Sequence, residues 1–167
     1  MSQPLIGGIL QQARNARQLT SIDMGETRFI PFGPKQSSCV GTEGLAGCTV
    51  AMIVSSHAVI MSHILPTSDA NLVMDTIEGL YDHNRQWFRS PSSTIVGAGY
   101  NMVLLIGPMA AIIEARFQRL TIPPRVHVYD PNPLSSEFAG RGTIVVDSRG
   151  QTINVYIEDT LVECIER

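Results

Sequence analysis

One cysteine and one histidine lie near each other in the sequence, each on a short apolar segment. Cys48 follows Gly44-Leu45-Ala46-Gly47 and opens the segment CTVAMIVS, and His63 lies near the end of AVIMSHI. An imidazole that accepts a thiol proton turns a cysteine into a nucleophile. The small residues before Cys48 leave room for a substrate carbonyl and for backbone N–H groups that stabilise an oxyanion. The pair is the minimal set of groups for thiolate catalysis.

Both residues also have a purely structural interpretation. A cysteine in an apolar strand is usually a small buried hydrophobe, and a histidine at the end of a strand is commonly inert. Periodicity alone therefore leaves the catalytic and the structural interpretation open.

The elements that must position the two residues are a predicted hairpin and the layers around it. Residues 48–55 and 58–64 are rich in Val and Ile and are separated by Ser56-His57, which indicates two paired strands. Paired strands lie about 4.8 Å apart, so facing side chains reach hydrogen-bond distance. Further strands are predicted at 27–32, 94–99, 102–106, 126–129, 142–146 and 151–157, with helices at 4–18, at 70–88 and from Pro108.

This order predicts the α/β class: a single-domain layered α/β sandwich in which helices pack on one mixed β-sheet. Residues 1–24 are expected to be an N-terminal segment with a short helix, and residues 25–167 the α/β domain. Cys39 is expected in a polar loop, His57 in a solvated turn, and Glu158, Asp159 and Glu163 on solvated faces.

Composition excludes several classes of function. The chain has 167 residues, 44% hydrophobic and 16% charged, with a net charge of -3 and Lys35 as its single lysine. Without clustered Lys and Arg, nucleic acid is not an expected partner. Apolar runs such as 50–54 and 109–113 are far shorter than the ~18–20 residues of a membrane span.

Three cysteines at irregular spacing, Cys39, Cys48 and Cys164, argue against a disulfide framework or a zinc site. They favour a reducing compartment, and the N-terminal residues lack the pattern of a signal peptide, so a cytoplasmic protein is expected. No metal or cofactor is expected, and the oligomeric state is left open.

The residues around Cys48 and His63 form a wider pattern. Thr42 lies six residues before Cys48 in TEGLAGC, and His63 lies fifteen residues after it in MSHILP. The pattern resembles the core motif of the CheD family of chemoreceptor glutamine deamidases, T-x-G-L-G-S-C-V followed by an apolar strand and a G-M-x-H-x-x-L-P-like run. The Cys-to-His spacing is about two residues shorter than in that family. A tighter hairpin at 55–58 would absorb the difference and keep His63 on the same face.

The similarity extends over about residues 25–158. The segment IVGAGYNM at 95–102, Ile106-Gly107 before a helix, and the hairpin at 140–157 are similar to later motifs of the family. The chain departs from the family where Gly47 stands in place of serine, where the Pro108-Met109 region replaces its asparagine, and where Ser55-Ser56-His57 replaces its acidic loop. No feature of the chain identifies a chemoreceptor as the target.

The resemblance implies a role for each matching residue. Cys48 would be the nucleophile, His63 the base, and Thr42 the group that accepts a hydrogen bond from His63 and holds its tautomer. Attack on a carboxamide would form a thioester and release ammonia. The substrate would be a protein side-chain amide or a small-molecule amide, with candidate binding residues Gly47, Ser62, Tyr100 and Asn101.

Two other functions stay open at this point. The altered flanks of Cys48 are compatible with the same Cys-His-Thr fold serving a biosynthetic acyl transfer, cyclisation or C–N bond reaction on a small molecule. A catalytically silent binding module is the other alternative. Thiol labelling separates it from an enzyme, since a nucleophilic Cys48 should react well below the ordinary thiol pKa of about 8.5.

Overall fold

Two five-stranded β-sheets pack face to face, and helices cover their outer surfaces. The computed structural model describes residues 8–33, 39–99, 107–132 and 138–167. Its helices are α1 (Ile9–Asn15), α2 (Ala70–His83) and α3 (Pro108–Arg119), with a 3-10 turn at Arg85–Trp87. Its strands are β1 (Leu19–Ser21), β2 (Thr27–Pro31), β3 (Cys39–Thr42), β4 (Thr49–Val54), β5 (Ala58–Ile64), β6 (Ser92–Ala98), β7 (Pro124–Tyr129), β8 (Ile144–Asp147), β9 (Thr152–Ile157) and β10 (Thr160–Glu166).

Each sheet is mixed. The first sheet has the strand order β1-β3-β8-β9-β10, and the second has the order β2-β5-β4-β6-β7. The parallel pairs are β1 with β3 and β6 with β7, and all other neighbouring strands are antiparallel. The predicted hairpin is present as β4 and β5, with Val50 opposite His63 and Val54 opposite Val59.

The β4–β5 hairpin is the centre of the molecule, and every residue of both strands is buried. One face, which includes Val50, Met52 and Met61, packs against the first sheet. The other face, which includes Ile53 and Ile60, packs against α2 and α3. Burial on both faces explains the continuous apolar runs in the sequence, since neither face has to be polar.

Tight local contacts close the hairpin. Only Ser55, Ser56 and His57 connect the two strands, and His57 is exposed as expected. The Ser55 hydroxyl accepts hydrogen bonds from the backbone N–H groups of His57 and Ala58 and donates one to the carbonyl of Trp87. The short turn therefore sets the register that places His63 on its face.

The two long helices form where capping signals and apolar spacing predict them. Asp69 caps α2 by accepting from the N–H groups of Asn71 and Leu72, and Pro108 is the first residue of α3. Arg116 of α3 donates to Asp75 and Glu78 of α2, with N···O distances of 2.7 and 2.9 Å. Within the described ranges, no helix has both the length and the apolar character that crossing a membrane requires.

The predicted α/β sandwich is confirmed, but the expectation of one mixed sheet is wrong. Strands β1 and β3 were not predicted because they have three and four residues, and β10 because its residues TLVECIE include two glutamates. Together with β8 and β9, these three strands form the first sheet, so the molecule has two layers of strands instead of one. Glu158, Asp159 and Glu163 are all partly buried, and the carboxylates of Glu158 and Asp159 accept the N–H groups of Gly142 and Ile9, so the expectation of solvated faces is also wrong.

The described part of residues 1–24 is built into the domain. Leu10 and Ala13 of α1 pack on the outer face of the first sheet with Cys39 and Val145, and β1 is an edge strand of that sheet. The expected polar loop at Cys39 is therefore wrong, because Cys39 is the fully buried first residue of β3.

The packing predicts that substitutions of two methionines differ greatly in their effect on the free energy of unfolding. Met61 is 0% exposed between the sheets, whereas Met24 is 63% exposed. Met61→Ala should lower the free energy of unfolding by roughly 2–5 kcal/mol because it leaves a cavity. Met24→Ala should change it by less than about 0.5 kcal/mol. Urea denaturation measures both values, and equal effects would contradict the sandwich packing.

Candidate active site

A hydrogen bond between the two sheets joins Thr42 to His63. Thr42 ends β3 of the first sheet and His63 lies on β5 of the second, and both residues are 0% exposed. Their side chains meet with a distance of 2.6 Å between Thr42 Oγ1 and His63 Nδ1. The contact that the resemblance implied is therefore present in the structure.

The hydrogen bonds of Thr42 assign the tautomer of His63. Thr42 Oγ1 lies 2.7 Å from the backbone carbonyl of Ile22, which can only accept, so the single hydroxyl proton points there. Toward His63 the hydroxyl oxygen must then accept, and Nδ1 carries the imidazole proton. In the neutral ring, Nε2 is left with its lone pair. Nε2 is buried and has no hydrogen-bond partner among the described residues.

Cys48 lies on the same side of the second sheet as His63. It immediately precedes β4, is 7% exposed, and belongs to the apolar cluster between the sheets. Val50 rather than Cys48 stands opposite His63, so Cys48 and His63 are diagonal neighbours on adjacent strands. Such neighbours have Cα atoms about 7–8 Å apart. No hydrogen bond joins Cys48 to Nε2 of His63 in this state.

Burial shifts the pKa values of both groups toward their neutral forms. Desolvation raises the pKa of the Cys48 thiol above its ordinary value. Desolvation also lowers the pKa of His63 below its ordinary value. Both directions follow from the cost of placing a charge in a poorly solvated site. At neutral pH the site therefore holds a thiol and a neutral imidazole rather than an ion pair.

Residues 43–47, which precede Cys48, form a loop (the nucleophile loop) held at two points. The N–H of Leu45 donates to the carbonyl of Gly142 at 3.1 Å. The N–H of Gly47 donates to the Tyr129 hydroxyl, which itself donates to the carbonyl of Cys48, both at 2.7 Å. Gly47 has φ +118°, a conformation that favours glycine. The Gly47 N–H is thus already engaged and is not a free oxyanion donor in this state.

Two cavities lie on either side of the nucleophile loop. One, of about 190 Å³, is lined by both chain neighbours of Cys48 and by the start of α3. Its lining consists of Gly47, Thr49, Pro66, Gly97, Ala98, Gly107, Pro108, Met109, Ala110, Val126, His127 and Val128. The other, of about 380 Å³, is lined by Gly44, Leu45, Ala46, Pro131, Phe138, Arg141 and Gly142. No lysine, aspartate or glutamate lines either cavity among the described residues.

The remaining candidate residues are not all brought to this site. Ser62 lies on the opposite face of β5 from His63 and shares a hydrogen bond with Thr27 at 2.7 Å. That placement does not support its expected contact with a substrate. Tyr100 and Asn101 lie outside the described residues. The part of the chain that the structure describes contains no group of His, Cys, Asp and Glu that could hold a metal ion.

The other two cysteines lie apart from Cys48. Cys39 belongs to the cluster on the outer face of the first sheet, whereas Cys48 lies between the sheets. All three cysteines are free. Burial and the neighbouring Asp147 carboxylate raise the pKa of Cys39 to about 12, so its thiol is inert at neutral pH. Cys164 is exposed on β10.

Sequence reasoning missed Tyr129. It is the last residue of the short strand β7, and nothing in its spacing connects it to Cys48, which lies 81 residues earlier. One signal was available: a tyrosine that is buried usually finds a hydrogen-bond partner for its hydroxyl. The partner itself could not be deduced from the sequence.

Comparisons with known proteins do not assign the chain to a family. No family model matches it, and no match was found among curated proteins. The resemblance to the CheD family therefore rests on the Thr42, Cys48 and His63 pattern, and the catalytic roles of these residues stay predictions.

The hydrogen bond between Thr42 and His63 predicts the protonation of the imidazole. In wild-type protein above the pKa of His63, ¹⁵N NMR should show the proton on Nδ1. Thr42→Val should remove this preference and, by leaving a buried N–H unsatisfied, cost roughly 1–3 kcal/mol of stability. Thr42→Ser retains the hydroxyl and should preserve the tautomer. A proton on Nε2 in the wild-type protein would refute the assignment.

The lowered pKa of His63 predicts acid sensitivity. The unfolded chain takes up this proton near the ordinary imidazole pKa of about 6.5, whereas the folded chain resists it. The free energy of unfolding should therefore be highest above that pH and fall as the pH drops below it. His63→Gln should make the decline shallower. Exposed His83 supplies the control, and an equal change in His83→Gln would contradict the assignment to His63. The measurement is urea denaturation across the pH range.

Proposed function

We propose that this protein is a cysteine amidohydrolase, similar in mechanism to the CheD-like deamidases, with Cys48 as nucleophile, His63 as general base and Thr42 as orienting group. The observation that carries the proposal is the buried contact between Thr42 and His63 Nδ1. Among the described residues Nε2 has no hydrogen-bond partner, and it lies on the face of the sheet where Cys48 lies, which supports its assignment as the base. Most buried polar side-chain atoms have a hydrogen-bond partner, so this Nε2 requires an explanation, although Nε2 of His127 shares the property.

The reaction begins with a neutral thiol and a neutral imidazole. His63 Nε2 takes the proton of Cys48 as Sγ attacks the carboxamide carbon. The tetrahedral intermediate collapses when the imidazolium returns that proton to the leaving nitrogen, which releases ammonia and a thioester. Water then attacks the thioester as Nε2 accepts its proton. The carbon–sulfur bond breaks, the thiol is regenerated, and a carboxylic acid is released that ionises at neutral pH.

Thr42 acts through His63 throughout this cycle. By accepting from Nδ1–H, it keeps Nε2 available as the base and stabilises the imidazolium that forms transiently. The Ile22 carbonyl in turn holds the Thr42 hydroxyl in the accepting orientation. Removal of the Thr42 hydroxyl should therefore lower kcat more than it raises KM.

The surroundings of Cys48 favour a neutral substrate. The cavity at its chain neighbours Gly47 and Thr49, whose lining includes neither Cys48 nor His63, is lined by glycine, alanine, proline, methionine and valine, with Thr49 and His127 as its polar side chains. An uncharged carboxamide can enter such a site without leaving a charge unpaired. A side-chain amide of a protein or a small amide satisfies this condition.

Replacement of Cys48 tests the proposal directly. Cys48→Ser and Cys48→Ala should reduce ammonia release from glutamine-containing peptides and small amides by on the order of a thousandfold or more, because the nucleophile is lost. Cys164→Ser, at the exposed thiol of β10, is the matched control and should retain activity. In the wild-type protein, mass spectrometry should detect an acyl adduct on Cys48. Undiminished ammonia release by a folded Cys48→Ala variant would exclude the mechanism.

A second function, a catalytically silent binding module, is favoured by one observation. Burial raises the pKa of Cys48, which is the opposite of the lowered value expected for a preformed thiolate. In such a module the site would hold its ligand non-covalently. Wild-type protein that is folded, releases no ammonia and forms no adduct at Cys48 would support this function over the first.

A further inference from the structure

We infer that Tyr129 is a positioning residue for Cys48: its hydroxyl bridges the two ends of the Gly47-Cys48 dipeptide and holds the nucleophile in place. The inference rests on the proposed function, because it explains how the nucleophile of that site is kept in position. Tyr129 does not touch the reacting atoms in this role. It acts on the backbone that carries the Cys48 side chain.

The bridge consists of two short hydrogen bonds at one oxygen. The Tyr129 hydroxyl accepts from the Gly47 N–H at 2.7 Å and donates to the Cys48 carbonyl at 2.7 Å. Tyr129 is 2% exposed, and its bond to the Cys48 carbonyl is buried, whereas its bond to the Gly47 N–H is partly buried. Because the two backbone groups flank the dipeptide, the hydroxyl constrains the rotations on both sides of the Cys48 Cα.

No other hydrogen bond among the described residues holds the backbone of Gly47 and Cys48. The first hydrogen bond upstream is that of the Leu45 N–H to Gly142, and the β4–β5 ladder begins at Thr49 opposite Ile64. Gly47 and Cys48 lie between these two anchors. Gly47 also has a positive φ of +118°, and glycine is the residue with the greatest backbone freedom. The Tyr129 bridge removes that freedom next to the nucleophile.

The same two bonds argue against a role for Tyr129 as an acid. Its hydroxyl proton is directed at the Cys48 carbonyl and its oxygen accepts the Gly47 N–H. A proton transfer to the substrate would break the bridge. The effect of Tyr129 on the reaction is therefore one of placement, and a displacement of about 1 Å at a reacting group costs up to about a hundredfold in rate.

The test removes a single hydroxyl. Tyr129→Phe should lower kcat for ammonia release by about ten- to a hundredfold while KM changes by less than about threefold. Tyr81→Phe is the matched control, since Tyr81 is also buried but lies on α2 on the other side of the second sheet. It should retain kcat. A merely structural role for Tyr129 would lower thermal stability but leave kcat of the folded protein unchanged.

A second measurement does not depend on catalysis. Alkylation of Cys48 by iodoacetamide, followed by mass spectrometry, should be severalfold faster in Tyr129→Phe than in wild-type and Tyr81→Phe protein, because the backbone that shields the thiol is released. If Tyr129→Phe does not fold, a fluorinated tyrosine placed at position 129 retains the ring and alters the hydrogen bonds. The decrease in kcat and the increase in the alkylation rate are then expected for the substitution at position 129 but not for the one at position 81.

The outcomes separate the inference from the proposed function. Active wild-type protein with kcat unchanged in the position-129 variant overturns the inference and leaves the amidohydrolase intact. Inactive wild-type protein rejects the amidohydrolase, and the alkylation rates then decide whether Tyr129 holds Cys48. Equal alkylation rates in all three proteins overturn the inference whatever the activity.

Discussion

The hydrogen bond between Thr42 and His63 is the constraint on which the candidate site depends. Its two partners come from different sheets, so it forms only when the sheets pack in one relative position. Each partner is fully buried, and a buried polar group without a partner is costly. The sandwich therefore places the imidazole, while the Ile22 carbonyl sets the direction of the Thr42 hydroxyl and with it the tautomer. The site and the sheet packing stabilise one another.

Burial also sets the electrostatic character of this site. It moves the pKa of Cys48 up and the pKa of His63 down, so the resting state contains no ion pair. A neutral pair of this kind avoids the large desolvation cost of a buried thiolate and imidazolium. In the proposed reaction, proton transfer would be coupled to attack on a carbonyl, as it is in hydrolases with a hydroxyl nucleophile. The weakly charged linings of the neighbouring cavities continue the same low-charge environment.

The strongest local patterns in the sequence were reliable guides to structure. The apolar runs of β4 and β5 and the spacing in α2 predicted these elements to within a few residues. The last part of the predicted helix is a separate 3-10 turn. The single-sheet expectation failed because β1, β3 and β10 carry weak signals and acquire their stability from neighbouring strands. Strand formation depends on such partners more than helix formation does. Cys39 was misplaced for the same reason, since it belongs to β3.

Residue types and short spacings marked Cys48 and His63 as a candidate nucleophile and base, because these are chemical identities that each residue carries by itself, and the resemblance to the CheD family added Thr42. The hairpin could also be read locally, because its strands are joined by three residues. The resemblance implied that Thr42 contacts His63, but tertiary structure alone decided that the two residues come from opposite sheets and that Tyr129 bridges Gly47 and Cys48 from 81 residues away. These contacts join segments distant along the chain. Their geometry depends on how two sheets pack, which no local pattern of residues encodes.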